Sequence, residues 1–167
     1  RSLRDRLAGA ADWSLAVAPE FDQILERTTQ QIAAAGGRTL NAPQEFTALA
    51  ANKQLTAERW QHAGVPTPRG VILAEGETSL PVDFTYPAVL KPVDGAGSQD
   101  VCLVASHRDE PPPYAWARRL EEFRPGRPAS VAALCNGAIV TMLPACTQRL
   151  SNDSRLAYLG GALMAEP

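Results

Sequence analysis

The stretch YPAVLKPVDGAGSQDVCLV, residues 86–104, contains two short apolar runs separated by a turn rich in glycine. Ala88–Leu90 and Val101–Val104 each have the length and apolar character of a buried strand, and the glycines between them allow the backbone to bend back. The pattern therefore predicts two strands joined by a flexible loop. Lys91 ends the first run, where a buried strand rarely tolerates a charged side chain.

Four structures are candidates for this combination of a lysine and glycines. A Walker A loop places its lysine after the glycines, and here Lys91 comes first. A dinucleotide-binding loop opens a helix, whereas Gly95–Gly97 precede an apolar strand. A plain hairpin explains the glycines but not the lysine. A glycine lid over a polyphosphate explains both, because a backbone poor in side chains can approach phosphate oxygens while Lys91 supplies charge and Ser98 a hydroxyl.

The composition limits the classes of partner that we expect. The chain has 167 residues, of which 45% are hydrophobic and 20% charged, as in an ordinary globular protein. Its formal net charge of -2 offers no large basic field, and no apolar run approaches the ~20 residues of a membrane helix, so we expect neither nucleic acid nor membrane as a partner. Cys102, Cys135 and Cys146 form no CxxC pair and lie among apolar neighbours, which predicts free, buried thiols in a reducing cytoplasm.

The first forty residues have the pattern of a βα unit. Trp13–Ala18 is a short apolar run that predicts a strand, and Ile24–Ala35 has helical spacing that stops at two glycines. Strand, loop and helix in this order indicate the end of a Rossmann-like domain. Asn41 is expected to cap a helix that runs to Ala51, with a second helix beginning near Asn52.

The second half of the chain reads as mainly β. Gly64–Leu73 predicts a turn followed by a strand, and Asn136-Gly137 between two apolar runs predicts a hairpin. Glu121–Arg124 can form an extended segment whose backbone N–H and C=O groups match the edge of an adenine ring, as a neighbouring strand would. Exposed carboxylates without a ligand are the alternative reading of this segment.

Three stretches, taken in order, resemble the ATP-grasp superfamily of the carboxylate–amine ligase type. They are NK at 52–53 with GVPTP at 64–68, YPAVLKP at 86–92 with DGAGS at 94–98, and LEEF at 120–123 with PG at 125–126 and SV at 130–131. Each stretch is weak evidence alone, whereas the ordered set is fairly specific. The resemblance implies a mixed α/β fold of the α+β grasp type.

The resemblance also implies which residues bind ATP. Lys53 and Lys91 would contact the phosphates, and Gly95, Ala96, Gly97 and Ser98 would form the mobile loop that closes over them. Glu121 would lie by the adenine amino group, with the backbone of Glu122 and Phe123 pairing with the ring edge. In this family, the reaction transfers the γ-phosphate of ATP to a carboxylate, and an amine then attacks the acyl phosphate.

Two features depart from the family pattern. Pro128 stands where many members have an acidic residue that binds the ribose hydroxyls. The magnesium ligands of the family belong to a later segment, so we expect no metal ligand and no assignable catalytic residue here, and we expect this chain to be a fragment that is inactive alone. The predicted organisation is the C-terminal part of a preceding Rossmann-like domain at 1–40, linker helices and the first grasp subdomain at 41–123, and the truncated start of the second at 124–167.

The sequence pattern is also compatible with two other functions. A non-catalytic nucleotide-binding module without a metal site is the main alternative, and a structural α/β domain without nucleotide is a third. If the ligase reading holds, the partners are a small-molecule carboxylate and an amine. The sequence identifies neither substrate, and it leaves open whether the protein is a homo-oligomer.

Overall fold

The computed structural model describes residues 2–164 as helices followed by antiparallel strands. The helices are α1 Leu3–Ala10, α2 Ile24–Ala34, α3 Gln44–Ala51 and α4 Lys53–His62. The strands are β1 Gly70–Leu73, β2 Ala88–Pro92, β3 Cys102–Val104, β4 Arg118–Glu122, β5 Ala129–Ser130, β6 Ala133–Asn136, β7 Ile139–Met142, β8 Cys146–Leu150 and β9 Tyr158–Leu163. This mixture confirms the predicted class of helices with antiparallel sheets.

The central element is a four-stranded antiparallel sheet in the order β1-β4-β2-β3. Leu90 of β2 lies directly opposite Leu120 of β4, and both are fully buried. They share one face of the sheet with Ala88 and Val104, against which Leu80 and Phe84 from the loop before β2 also pack. Because side chains alternate along a strand, the residues between them, Lys91 among them, project from the opposite face.

The predicted strands of the second half are confirmed. β2 and β3 pair across the glycine loop, and β6 and β7 pair around Asn136-Gly137, where Gly137 takes a φ of +59°. The smaller sheets have the orders β5-β8-β9 and β6-β7. Both strands of the β6-β7 hairpin are exposed throughout, so Cys135 in β6 is exposed. Cys102 in β3 and Cys146 in β8 are half-buried. The three thiols are free, as predicted, but the prediction that all are buried is wrong.

The first helical region differs from prediction at two points. The expected strand Trp13–Ala18 is reduced to a single parallel bridge between Ser14 and Thr39, because no other described strand pairs along it. Asn41 does not cap α3, which begins after Pro43 without a side-chain cap. Its amide instead exchanges two hydrogen bonds of 2.8 Å with the backbone of Ala16, so Asn41 joins this segment to the bridge.

The helices are short. α2 is the longest helix in residues 2–164, with 11 residues. No described helix has both the length and the apolar character needed to cross a membrane.

Candidate functional site

The whole sequence contains two lysines and 14 arginines. The two lysines are close enough in the fold for their charges to interact. Burial lowers the pKa of Lys53 below its ordinary value, and the charge of Lys91 is the second cause. Asp94, Glu20 and Glu121 act in the opposite direction. The two predicted phosphate-binding side chains therefore lie within electrostatic range of each other, on adjoining elements.

The start of α4 positions Lys53. Asn52 caps this helix, since its side-chain oxygen accepts from the N–H groups of Gln54 and Leu55, each at 3.0 Å. The N–H of Lys53 itself donates to the carbonyl oxygen of Val93 at 2.8 Å. This bond joins the first residue of α4 to the end of β2, so that Lys53 lies at the base of the glycine loop.

The ammonium of Lys53 binds the loop directly. It donates to the carbonyl oxygens of Asp94 at 2.8 Å and Gly95 at 2.7 Å. The loop backbone then takes a left-handed conformation at Gly95, Gly97 and Ser98, with φ values of +81°, +74° and +59°. Glycine adopts this conformation without strain, which explains the glycines of the motif.

A cleft of about 220 Å³ lies between the loop and α4. Its lining includes Lys53 and all four predicted loop residues, Gly95, Ala96, Gly97 and Ser98, together with Phe21, Pro92, Asp94, Gln99 and Val101. A larger cavity of about 340 Å³ between α2, α3 and the ends of β2 and β4 shares only Asp94 with this cleft and contains no lysine. The smaller cleft therefore matches the part of the predicted site formed by Lys53 and the glycine loop. The other predicted residues, Lys91, Glu121, Glu122 and Phe123, do not line it.

Lys91 and Glu121 form an ion pair on the polar face of the central sheet. The Lys91 ammonium lies 2.7 Å from Oε1 of Glu121, and Nε of Arg119 lies 3.0 Å from Oε2. Both oxygens of the carboxylate are thus engaged. Arg119 was missed at the sequence level, although its position two residues before Glu121 on a strand places both side chains on one face.

The backbone after β4 offers hydrogen-bonding groups to a ligand. The N–H groups of Glu122 and Phe123 donate to the carbonyl oxygens of Arg69 at 3.0 Å and Pro87 at 3.1 Å, so neither is available to a ring edge. The N–H of Arg124, just beyond β4, makes no hydrogen bond within residues 2–164. The unpaired donor therefore lies one residue beyond the predicted pair.

The described chain shows no group of three or more histidine, cysteine, aspartate or glutamate side chains that could hold a metal ion. Pro128, at the position where many family members place a ribose-binding acid, is exposed. The expectation that magnesium ligands lie outside this chain stays a prediction.

Comparisons with known proteins agree with this geometry. Residues 50–166 match the family model of the ATP-grasp domain, and residues 3–46 match that of a pre-ATP-grasp domain. A D-alanine–D-alanine ligase of Wolbachia pipientis subsp. Culex pipiens is 30% identical over 109 residues, which are 58% of this chain and 32% of that protein. This chain thus spans about a third of the length of that curated relative.

Two solved structures have a similar fold. An ATP-grasp superfamily protein from Archaeoglobus fulgidus superposes with a TM-score of 0.71 at 21% identity, covering 99% of this chain and 46% of that one. A D-alanine–D-alanine ligase from Bacillus anthracis complexed with ATP superposes with a TM-score of 0.67 at 16% identity, covering 97% and 55%. With a family model that matches more than half of its residues, the chain belongs to the ATP-grasp family.

Proposed function

We propose that this chain forms the ATP-binding part of an ATP-dependent ligase that activates a carboxylate as an acyl phosphate for attack by an amine. The observation that carries the proposal is a cleft lined by Lys53 and the glycine loop, with Lys91 close enough for its charge to act on Lys53. A cleft with one cation at its base, a second cation within electrostatic range and a glycine-rich backbone beside it suits a polyphosphate. The ligase relatives support the reaction class.

Lys53 and Lys91 supply the positive charge of the proposed phosphate site. Lys53 is half-buried and holds two loop carbonyl oxygens, so an incoming phosphate competes with the carbonyls of Asp94 and Gly95 for its ammonium. A charged phosphate oxygen is a stronger acceptor than a neutral carbonyl. Loop closure over the nucleotide then brings the backbone from Gly95 to Ser98 against the phosphates.

The proposed adenine contacts come from the backbone at the end of β4 and just beyond it. The carbonyl oxygen of Glu122 accepts from the amino group of adenine, and the N–H of Arg124 donates to the neighbouring ring nitrogen. The two residues are two positions apart, so an extended backbone directs both groups to the same side. Glu121 serves as the partner of Lys91 beside the ring, because both of its carboxylate oxygens are held by cations.

When bound, ATP supplies a γ-phosphoryl group that passes to the substrate carboxylate and leaves ADP, after which the amine nitrogen bonds to the acyl carbon and phosphate departs. The residues of this chain neutralise the charge of the phosphates, orient them and exclude water beneath the loop. The carboxylate and amine substrates, the oligomeric state and a cytoplasmic location are parts of the same proposal.

The test is ATP binding by the intact protein, measured by calorimetry, with Lys91→Ala beside Arg108→Ala. Arg108 is an exposed cation outside the site, so Arg108→Ala removes the same single positive charge as Lys91→Ala. A charge-assisted hydrogen bond contributes ~1.5–3 kcal/mol, so Lys91→Ala weakens ATP binding about tenfold or more. Arg108→Ala binds like the parent protein.

Two outcomes overturn the proposal. Absence of ATP binding in the parent protein removes its basis, and equal affinities in Lys91→Ala and Arg108→Ala remove the lysine from the site. ATP binding without release of phosphate, when mixtures of amino acids and amines are offered, favours the non-catalytic nucleotide-binding module.

A further inference from the structure

Arg119 is a buried cation that does not line the cleft. Its residue exposure is 1%, and it projects from the same face of the sheet as Lys91, which lies directly opposite it on β2. The guanidinium contacts the Glu121 carboxylate, the side-chain oxygen of Gln54 in α4 and, at 3.2 Å, the carbonyl oxygen of Pro68. Its contacts therefore join α4, the turn before β1 and the polar face of β4.

Gly70 provides the space for this guanidinium. An alanine Cβ at that position would lie 2.8 Å from Nε of Arg119 and closer still to Cζ and Nη2, which is nearer than real Cβ atoms approach other groups. Because Arg119 is buried and bonded on three sides, the guanidinium cannot swing away freely. Gly70 is also the direct partner of Glu121 in the β1–β4 register, so the guanidinium and the carboxylate lie on this part of the sheet together.

We propose that Arg119 is a positioning residue that holds the Glu121 carboxylate beside Lys91 and takes part of its negative charge. The carboxylate carries one charge and faces two cations, Lys91 at Oε1 and Arg119 at Oε2. Without Arg119, that charge falls on Lys91 alone and the carboxylate is free to turn. With Arg119 in place, the positive charge of Lys91 remains available to phosphate. This inference rests on the proposed function.

The experiment compares ATP with adenosine, which has the base and sugar but no phosphate. In the intact protein, Arg119→Gln weakens ATP binding about tenfold, the effect of one weakened charge-assisted bond, and leaves adenosine binding within about twofold. Arg119→Lys keeps the charge and restores most of the ATP affinity. A purely structural role for Arg119 instead weakens both ligands together and is not rescued by lysine.

Gly70→Ala tests the same arrangement without removing any charged group. Its Cβ displaces the guanidinium, so ATP binding weakens while adenosine binding is retained. Gly126→Ala is the matched control, since a Cβ there meets no atom within 4 Å and no positive φ is involved. If Arg119→Gln does not fold, the double variant Gly70→Ala/Glu121→Gln tests the role of Arg119 instead. It is expected to bind ATP no more weakly than Glu121→Gln alone, because Arg119 acts through the Glu121 carboxylate.

The outcomes separate this inference from the proposed function. A parent protein that binds no ATP contradicts both. If Lys91→Ala weakens ATP binding while Arg119→Gln and Gly70→Ala bind ATP like the parent protein, the proposed function stands and the role of Arg119 is wrong. Fully additive effects of Gly70→Ala and Glu121→Gln also contradict the role of Arg119.

Discussion

Lys53 donates from its ammonium to the carbonyl oxygen of Gly95 at 2.7 Å, and this bond joins the start of α4 to the glycine loop. A second bond, to the carbonyl oxygen of Asp94, holds the same point of the loop. The side chain that we propose for phosphate binding thus also anchors the loop that we propose to close over the phosphates. If phosphate oxygens replace the two carbonyl oxygens at the Lys53 ammonium, the loop is released from Lys53 as the ligand binds.

The affinity for ATP is expected to fall as pH rises through the lowered pKa of Lys53. Burial and the charge of Lys91 disfavour the ammonium in the free protein, whereas ligand phosphates favour it. Binding therefore takes up a proton where Lys53 is neutral, and above that pKa the affinity declines with pH, earlier than for an ordinary lysine. Calorimetry over roughly pH 7 to 10 measures this decline.

Lys53→Arg is the control for this pH dependence, because an arginine stays charged over the whole range. The variant is expected to bind ATP with an affinity that changes less with pH than that of the parent protein. The same decline in both proteins would assign the pH dependence to another group.

Gly97→Val is expected to impair ATP binding, because the valine opposes the left-handed conformation and places a branched side chain where phosphate approaches. Gly76→Val is a close control: Gly76 has a φ of +72° against +74° for Gly97, and a Cβ at either position meets no atom within 4 Å. Both variants lose about 1–2 kcal/mol of stability from the backbone strain. Thermal melting with and without ATP distinguishes them, and weakened binding in both would contradict a specific role of the loop.

Asn52→Ala is expected to destabilise the protein by about 1 kcal/mol through loss of the cap on α4. Asn52→Asp keeps a side-chain oxygen for the N–H groups of Gln54 and Leu55 and is expected to retain most of that stability. Denaturant unfolding measures both. A loss of equal size in the two variants would show that the side-chain amide group, not the cap, matters.

The protein is expected to prefer ATP to GTP by at least about tenfold, because a guanine presents an acceptor oxygen where adenine presents its amino donor. That oxygen would face the carbonyl of Glu122. Competition between the two nucleotides measures the preference, and equal affinities would contradict the proposed pairing.

Arg124→Pro removes the N–H that is proposed to bind the adenine ring and is expected to weaken ATP binding about tenfold. Arg127→Pro is the matched control, since Arg127 is also an exposed arginine that precedes a proline. If Arg127→Pro weakens ATP binding as much as Arg124→Pro does, the effect comes from the chain conformation and not from the lost donor.

The sequence alone determined the local features of this protein. The β2–loop–β3 unit, the start of α4 after Asn52 and the β6–β7 hairpin were predicted correctly, because each depends on residues within about a dozen positions of one another. The bend at the glycines was also predicted, and the structure forms it with a left-handed backbone at Gly95 and Gly97.

Only the tertiary structure decided which distant groups meet. Asn41 bonds the backbone of Ala16 instead of capping α3, and Arg119 lies over Gly70 with its charge on Glu121. The partner of a polar side chain depends on strand register and on the packing of elements far apart in the chain. The local sequence shows that a lysine or an asparagine side chain requires a hydrogen-bonding partner, but only the three-dimensional arrangement determines which group that partner is.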